Sequence, residues 1–171
     1  MNRKEITKFL STLLIQSKFS GRGKYYASEV TLDYGLGKGK EKRVDFIQFV
    51  PKNQTSISGL EKGIFICYEI KSCPEDFKSG CGLNFVGEKN YIVTTMQTYK
   101  DILHDIDQLG IHVGILVAIP TDKALLDEFE QPTPITNNIE NWSLAIARQC
   151  FEGDRKRSLT ELLFCMLRSG Q

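Results

Sequence analysis

Two carboxylates and one ammonium sit at the ends of apolar runs in this chain, where charge has to be held by something. The run Gly63-Ile64-Phe65-Ile66-Cys67-Tyr68-Glu69-Ile70-Lys71-Ser72 reads as a strand. A period of two points Phe65, Cys67, Glu69 and Lys71 to one face, and Ile64, Ile66, Tyr68 and Ile70 to the other. Both faces are largely apolar, so cover is expected on both sides, and burying an unpartnered charge costs on the order of several kcal/mol. Upstream, Arg43-Val44-Asp45-Phe46-Ile47-Gln48-Phe49-Val50, closed by Pro51, is a second strand with Asp45 on the face of Ile47 and Phe49. Acids on adjacent strands can share a divalent ion, and hard cations such as Mg²⁺ take one or two carboxylates plus water and phosphate oxygens. Lys71 then stands beside the water that the ion would activate. The plainer alternative is a cross-strand ion pair at the sheet edge, with Lys71 neutralising one acid and the other left without a partner.

Asp45 followed by Glu69-Ile70-Lys71 at the end of the next strand resembles the Asp…(Asp/Glu)-x-Lys signature of the PD-(D/E)XK nuclease superfamily, the restriction-endonuclease-like fold. Val44 occupies the place of the proline that often precedes the aspartate. By order of elements the resemblance spans Tyr25 to Pro120, and its motif is short. It implies a Mg²⁺-dependent nuclease, with Mn²⁺ as the substitute ion, that hydrolyses phosphodiester bonds in DNA. Asp45 and Glu69 would bind the ion, the backbone carbonyl of Ile70 would complete the protein ligands, and Lys71 would orient or deprotonate water. The superfamily often adds a glutamate from an earlier element, which points to Glu29, with Glu5 on the first helix as its competitor; the plain reading of Glu29 is a solvated residue on the first strand. The alternatives are an inert nucleic-acid-binding or protein-interaction module on the same fold, and a structure-specific junction resolvase.

The charged residues nearly cancel, 22 Lys and Arg against 21 Asp and Glu, so a net charge of +1 gives no whole-molecule attraction to nucleic acid. Binding therefore requires a local patch, and Lys38, Lys40, Lys42 and Arg43 supply one along a phosphate backbone. Gly35 to Lys40 lacks the Gly-x-x-x-x-Gly-Lys-Ser/Thr form and leads into a strand, so it reads as a hairpin loop and not as a nucleotide-phosphate cradle. Asp154-Arg155-Lys156-Arg157 carries less weight as such a patch and reads as a solvated turn; Asp76 and Lys78, just past the motif on the following helix, could approach the cleft, with helix-surface charges as the favoured reading. Histidine is present only at positions 104 and 112, which argues against zinc hydrolases, His-based nucleases and a Ser-His-Asp triad. Five cysteines without Cys-x-x-Cys spacing read as free thiols in a reducing, cytoplasmic compartment. Met1 to Glu5 lead into an amphipathic segment, so neither a signal peptide nor a membrane span is expected.

At 171 residues the chain is long enough for one domain with its own core. Ile6, Phe9, Leu10, Leu13 and Leu14 predict an amphipathic helix over about residues 3 to 17. An alternating strand near Tyr26 to Tyr34 comes next, then the Asp45 and Glu69 strands joined by a polar connection over residues 52 to 62. Ser72-Cys73-Pro74-Glu75 has the capping-box form and predicts a helix start. A strand at Tyr91 to Thr95, a helix capped by Thr98, and a buried strand from Val113 to Ile119 complete a core of about residues 1 to 120. The result is an α/β mixed sheet with flanking helices, in the order αβββαβ expected of the nuclease fold. After Gln131-Pro132-Thr133-Pro134 a C-terminal helical extension is expected, with helices near Asn141 to Phe151 and Ser158 to Arg168. The apolar last helix would pack on the core or serve a homodimer interface.

Overall fold

The computed structural model describes residues 1–35, 39 and 41–169. Lys38 and Lys40 lie outside the described residues. Helix α1 (Arg3–Leu14) begins with a capping box in which Asn2 and Glu5 satisfy each other's backbone N–H groups. It runs on into a π-helical turn, Ile15–Phe19. Strands β1 (Tyr25–Leu32), β2 (Lys42–Val50) and β3 (Ile64–Lys71) form an antiparallel meander, with a short helix α2 (Ile57–Glu61) between the last two. Helix α3 (Pro74–Lys78) carries the chain over to β4 (Lys89–Thr95), parallel to β3, and helix α4 (Met96–Asp101) leads on toward β5 (Val113–Pro120), parallel to β4. Helix α5 (Leu125–Glu130) precedes β6 (Trp142–Arg148), which closes the sheet antiparallel to β5, and α6 (Leu159–Ser169) follows it. The six strands lie in sequence order, β1-β2-β3-β4-β5-β6.

Both faces are covered. Phe9, Leu10, Leu13 and Leu14 of α1 pack on Tyr68, Ile70, Val93, Leu116 and Trp142. On the other face, Leu162, Cys165 and Met166 of α6 cover Val30, Val44, Ile47, Phe65 and Cys67. Met96, Ile102 and Ile106 cover Ile92, Ile115 and Val117 further along the sheet. Helices α1 and α6 thus each bury a stripe at helical spacing against a strand face of period two, which is the local code the sequence carries.

Several expectations need correction. Residues 141–151 do not form a helix: β6 occupies most of them, and Leu116↔Ile146, Val117↔Ala145 and Ala118↔Leu144 pair it with β5. Leu, Ala and Arg favour helix in isolation, but an open sheet edge beside β5 wins by pairing the backbone and burying Trp142. The chain beyond residue 120 is therefore no helical extension, since it supplies the sixth strand and the cover over β1 to β3. The helix after β4 is capped by Thr95, whose hydroxyl accepts from the Thr98 N–H at 3.0 Å, and it ends at Asp101. Ser158 does cap α6, accepting from the Glu161 N–H at 3.1 Å. The segment Asp154 to Arg157 is not merely solvated: Arg155 pairs with Glu88 at 3.0 Å, and Arg157 with Asp33 at 2.8 Å. All five cysteines are free thiols. Among the described residues, no helix is long and apolar enough to cross a membrane.

Candidate functional site

The paired acids sit where β2 and β3 part. Their ladder runs from Val50↔Ile64 to Phe46↔Tyr68. The Ile70 N–H beyond it donates to Asp45 Oδ2 at 2.7 Å, so a side-chain carboxylate takes the place of a backbone carbonyl and the strands open. On the other side of β2, Glu29 falls opposite Asp45, between the pairs Ser28↔Phe46 and Val30↔Val44. Its φ of 54° lies in the left-handed region, uncommon for a residue with a Cβ. Strict alternation fails on both strands there, because Ala27 and Val30 pack into the same cluster, as do Val44 and Ile47.

Glu69 and Lys71 end β3 on the face of Phe65 and Cys67, and both are buried, at 1% and 4% exposure. Glu69 Oε1 is enclosed and has no hydrogen-bond partner. Burial, and then the Asp45 carboxylate beside it, push Glu69 up to about 9, against the opposing pull of the Lys71 charge and the Asn84 backbone N–H. The end of β3 is fixed by Thr94, whose hydroxyl donates to the Lys71 carbonyl at 2.6 Å.

A roof covers these groups. After α3 the chain turns back through Gly80 and Gly82, whose φ values of 67° and 75° glycine adopts at no steric cost. The Lys71 ammonium donates to the carbonyl of Cys81. A side chain at Gly82 would begin 3.1 Å from Glu69 Oε2 and 3.4 Å from Lys71 Nζ, so both head groups converge on this glycine. Asn84 ties the roof to β2 by donating from Nδ2 to the Arg43 carbonyl at 2.9 Å.

Asp45, Glu69, Ile70 and Lys71, the residues of the motif, line one cleft of about 610 Å³ together with Glu29, Lys42 and Arg43. Glu29 does not converge as a third ligand. It pairs with Arg43 at 2.9 Å with its side chain 61% exposed, and among the described residues no group of three or more His, Cys, Asp or Glu is placed to hold a metal. Glu5 is taken by its capping box and borders a separate groove. Sequence reasoning missed Arg3, which reaches the cleft from α1; of the two helix charges that could approach the cleft, Asp76 lines it and pairs with Arg3 at 2.7 Å, against the favoured surface reading, while Lys78 pairs with Asp105 at 3.6 Å. No local pattern marks Arg3, because only the packing of α1 across the sheet brings it there. Asp76 carried a weak signal, five residues after Lys71 in a helix opened by Pro74. The helix cap is Cys73; Ser72 Oγ is buried and unpaired, so the expected capping box is not formed.

These residues fit a hard divalent cation. An orphaned carboxylate oxygen lies beside a second carboxylate in a site that disfavours free negative charge, and oxygen donors are what such a cation takes. Asp45 can accept from Ile70 and still offer its other oxygen.

No protein-family model and no curated protein matches the chain. Among solved structures it is similar to a protein of unknown function from Silicibacter pomeroyi, with 15% identity, a TM-score of 0.56, and coverage of 96% of this chain and 85% of that one. At that identity the likeness concerns the fold alone.

Proposed function

We propose that the cleft hydrolyses phosphodiester bonds in DNA with Mg²⁺ held by Asp45 and Glu69. The observation that carries this reading is the enclosed, unpartnered Glu69 Oε1 beside a second carboxylate. A structural ion pair would have used that oxygen, since leaving a buried acceptor unsatisfied costs about 1–3 kcal/mol. When bound, the ion supplies Lewis acidity toward the phosphate and a water made acidic by coordination. The Ile70 carbonyl completes the protein ligands in this reading. Asp45 sets the opening of the strands through its bond to the Ile70 amide. Lys71, held by the Cys81 carbonyl, orients the attacking water and opposes charge that builds on the phosphate. The apolar surroundings of β3 strengthen each of these interactions.

The test is incubation of the pure protein with labelled DNA in Mg²⁺, in Mn²⁺ and in chelator. Wild type is expected to cut only with metal, and Asp45→Ala and Lys71→Ala are each expected to lose at least about 10²-fold in rate. Equal cutting by all three proteins would mean contamination and end the proposal. Binding without any metal-dependent cutting would leave an inert nucleic-acid-binding module. Flaps, junctions, single strands and linear duplex tested side by side separate a general nuclease from a junction resolvase.

A further inference from the structure

Two arginines reach the mouth of the cleft from different elements, and each is held there by an acid. Arg3, at the start of α1, pairs with Asp76 of α3 at 2.7 Å, and Arg43 of β2 pairs with Glu29 of β1 at 2.9 Å. Both arginine side chains are 64% exposed, and all four residues line the cleft that contains Asp45 and Glu69.

We propose that Glu29 and Asp76 are stand-ins for phosphate: each parks an arginine at the cleft mouth, and a nucleic-acid backbone takes both arginines over by exchange. This rests on the nuclease reading of the cleft and adds to it the groups that grip the strand on either flank of the reaction. Three observations support it. The Arg43–Glu29 pair is exposed on both sides and the Arg3–Asp76 pair on its arginine side, with Asp76 19% exposed, so both are open to salt and to a competing anion, the first more than the second. The guanidinium fork matches two phosphate oxygens as well as it matches a carboxylate, so phosphate is a chemically suitable replacement partner. Glu29 holds its place on a left-handed backbone, φ 54°, directly opposite Asp45, which sets the Arg43 pair beside the motif. With the arginines parked, the mouth is close to neutral, in keeping with a chain whose net charge is only +1. Tight binding then falls to a backbone long enough to engage both.

The exchange predicts opposite signs for the two partners of one ion pair together with a coupling between them, whereas a pair that only supports the fold predicts the same sign and charges acting independently on the strand predict opposite signs without coupling. Binding of a short labelled duplex is measured by fluorescence anisotropy across a salt series, with Ca²⁺ in place of Mg²⁺ so that the strand stays uncut. Glu29→Gln is expected to tighten binding roughly two- to fivefold, the worth of an exposed ion pair, and Asp76→Asn, whose acid is more covered, by at least about as much. Arg3→Ala and Arg43→Ala are expected to weaken it and to lower the slope of log K against log salt by about 0.9 each. In an Arg3→Ala background the gain from Asp76→Asn is expected to shrink, a coupling that a change of folding alone does not produce. Acid variants that bind equally or more weakly, or arginine variants with an unchanged slope, would overturn the inference while leaving metal-dependent cutting by wild type intact. Wild type that neither binds nor cuts DNA would remove the nuclease reading and this inference with it.

Discussion

Glu69 is a carboxyl that water has almost left, and its proton affinity records this. In the unfolded chain it ionises near 4.5, and in the metal-free fold near 9, because burial and the Asp45 charge both penalise the anion. The folded protein therefore keeps a proton that the unfolded chain releases. The stability linked to this group is fully present below about 4.5 and is lost as pH rises toward 9. In chelator, the melting temperature of wild type is expected to fall between those values, and Glu69→Gln, neutral at every pH, is expected to flatten that fall; parallel profiles for the two proteins would show that Glu69 does not titrate in this range. A bound cation would do for the carboxylate what the proton does in its absence. The same burial acts on Cys67, whose thiol is pushed up to about 12, so this strand residue behaves as an apolar filler and not as a nucleophile.

The elements position the site in two different ways. β3 places Glu69 and Lys71 on one face by its own period of two, so this part was legible from spacing alone. The roof over them, from Gly80 to Asn84, was not, because it depends on contacts to β3 and β2 that no local pattern announces. Its two glycines give a matched comparison. Gly80 and Gly82 have similar positive φ, so alanine at either is expected to cost about 1–2 kcal/mol of stability through the left-handed backbone. A Cβ at Gly80 meets nothing within 4 Å, whereas one at Gly82 crowds Glu69 and Lys71. Cutting is thus expected to survive Gly80→Ala and to fall about tenfold or more in Gly82→Ala, since small misplacements of reacting groups are costly. Equal rates for the two variants would detach the roof from the chemistry. The failed alternation around Glu29 and Asp45 is another effect of contact: period two predicts a regular pair of strands, and the structure interrupts it beside the acids.

At the scale of the whole molecule, both ends of the chain converge on one sheet. Phe9 of α1 meets Trp142 of β6 edge to face, with ring centroids 5.5 Å apart, so the first helix and the last strand share a core. Trp142→Ala is expected to cost about 3–5 kcal/mol in denaturant unfolding. A loss under 1 kcal/mol would mean that β6 is an appendage, as a C-terminal extension would have been. Neighbours along the chain suffice to specify the amphipathic α1, the strands β2 and β3, and the motif Asp45, Glu69, Lys71 at their ends. Side-chain direction in a helix or strand follows from spacing, and burial follows from which direction is apolar. Long-range packing is what makes residues 142–148 pair with β5 instead of coiling, brings Arg3 and Asp76 together at the cleft mouth, and turns Glu29 to Arg43 instead of the acids. Each of these is settled by a partner distant in sequence, whose backbone edge or opposite charge outweighs a local preference worth less than about 1 kcal/mol per residue.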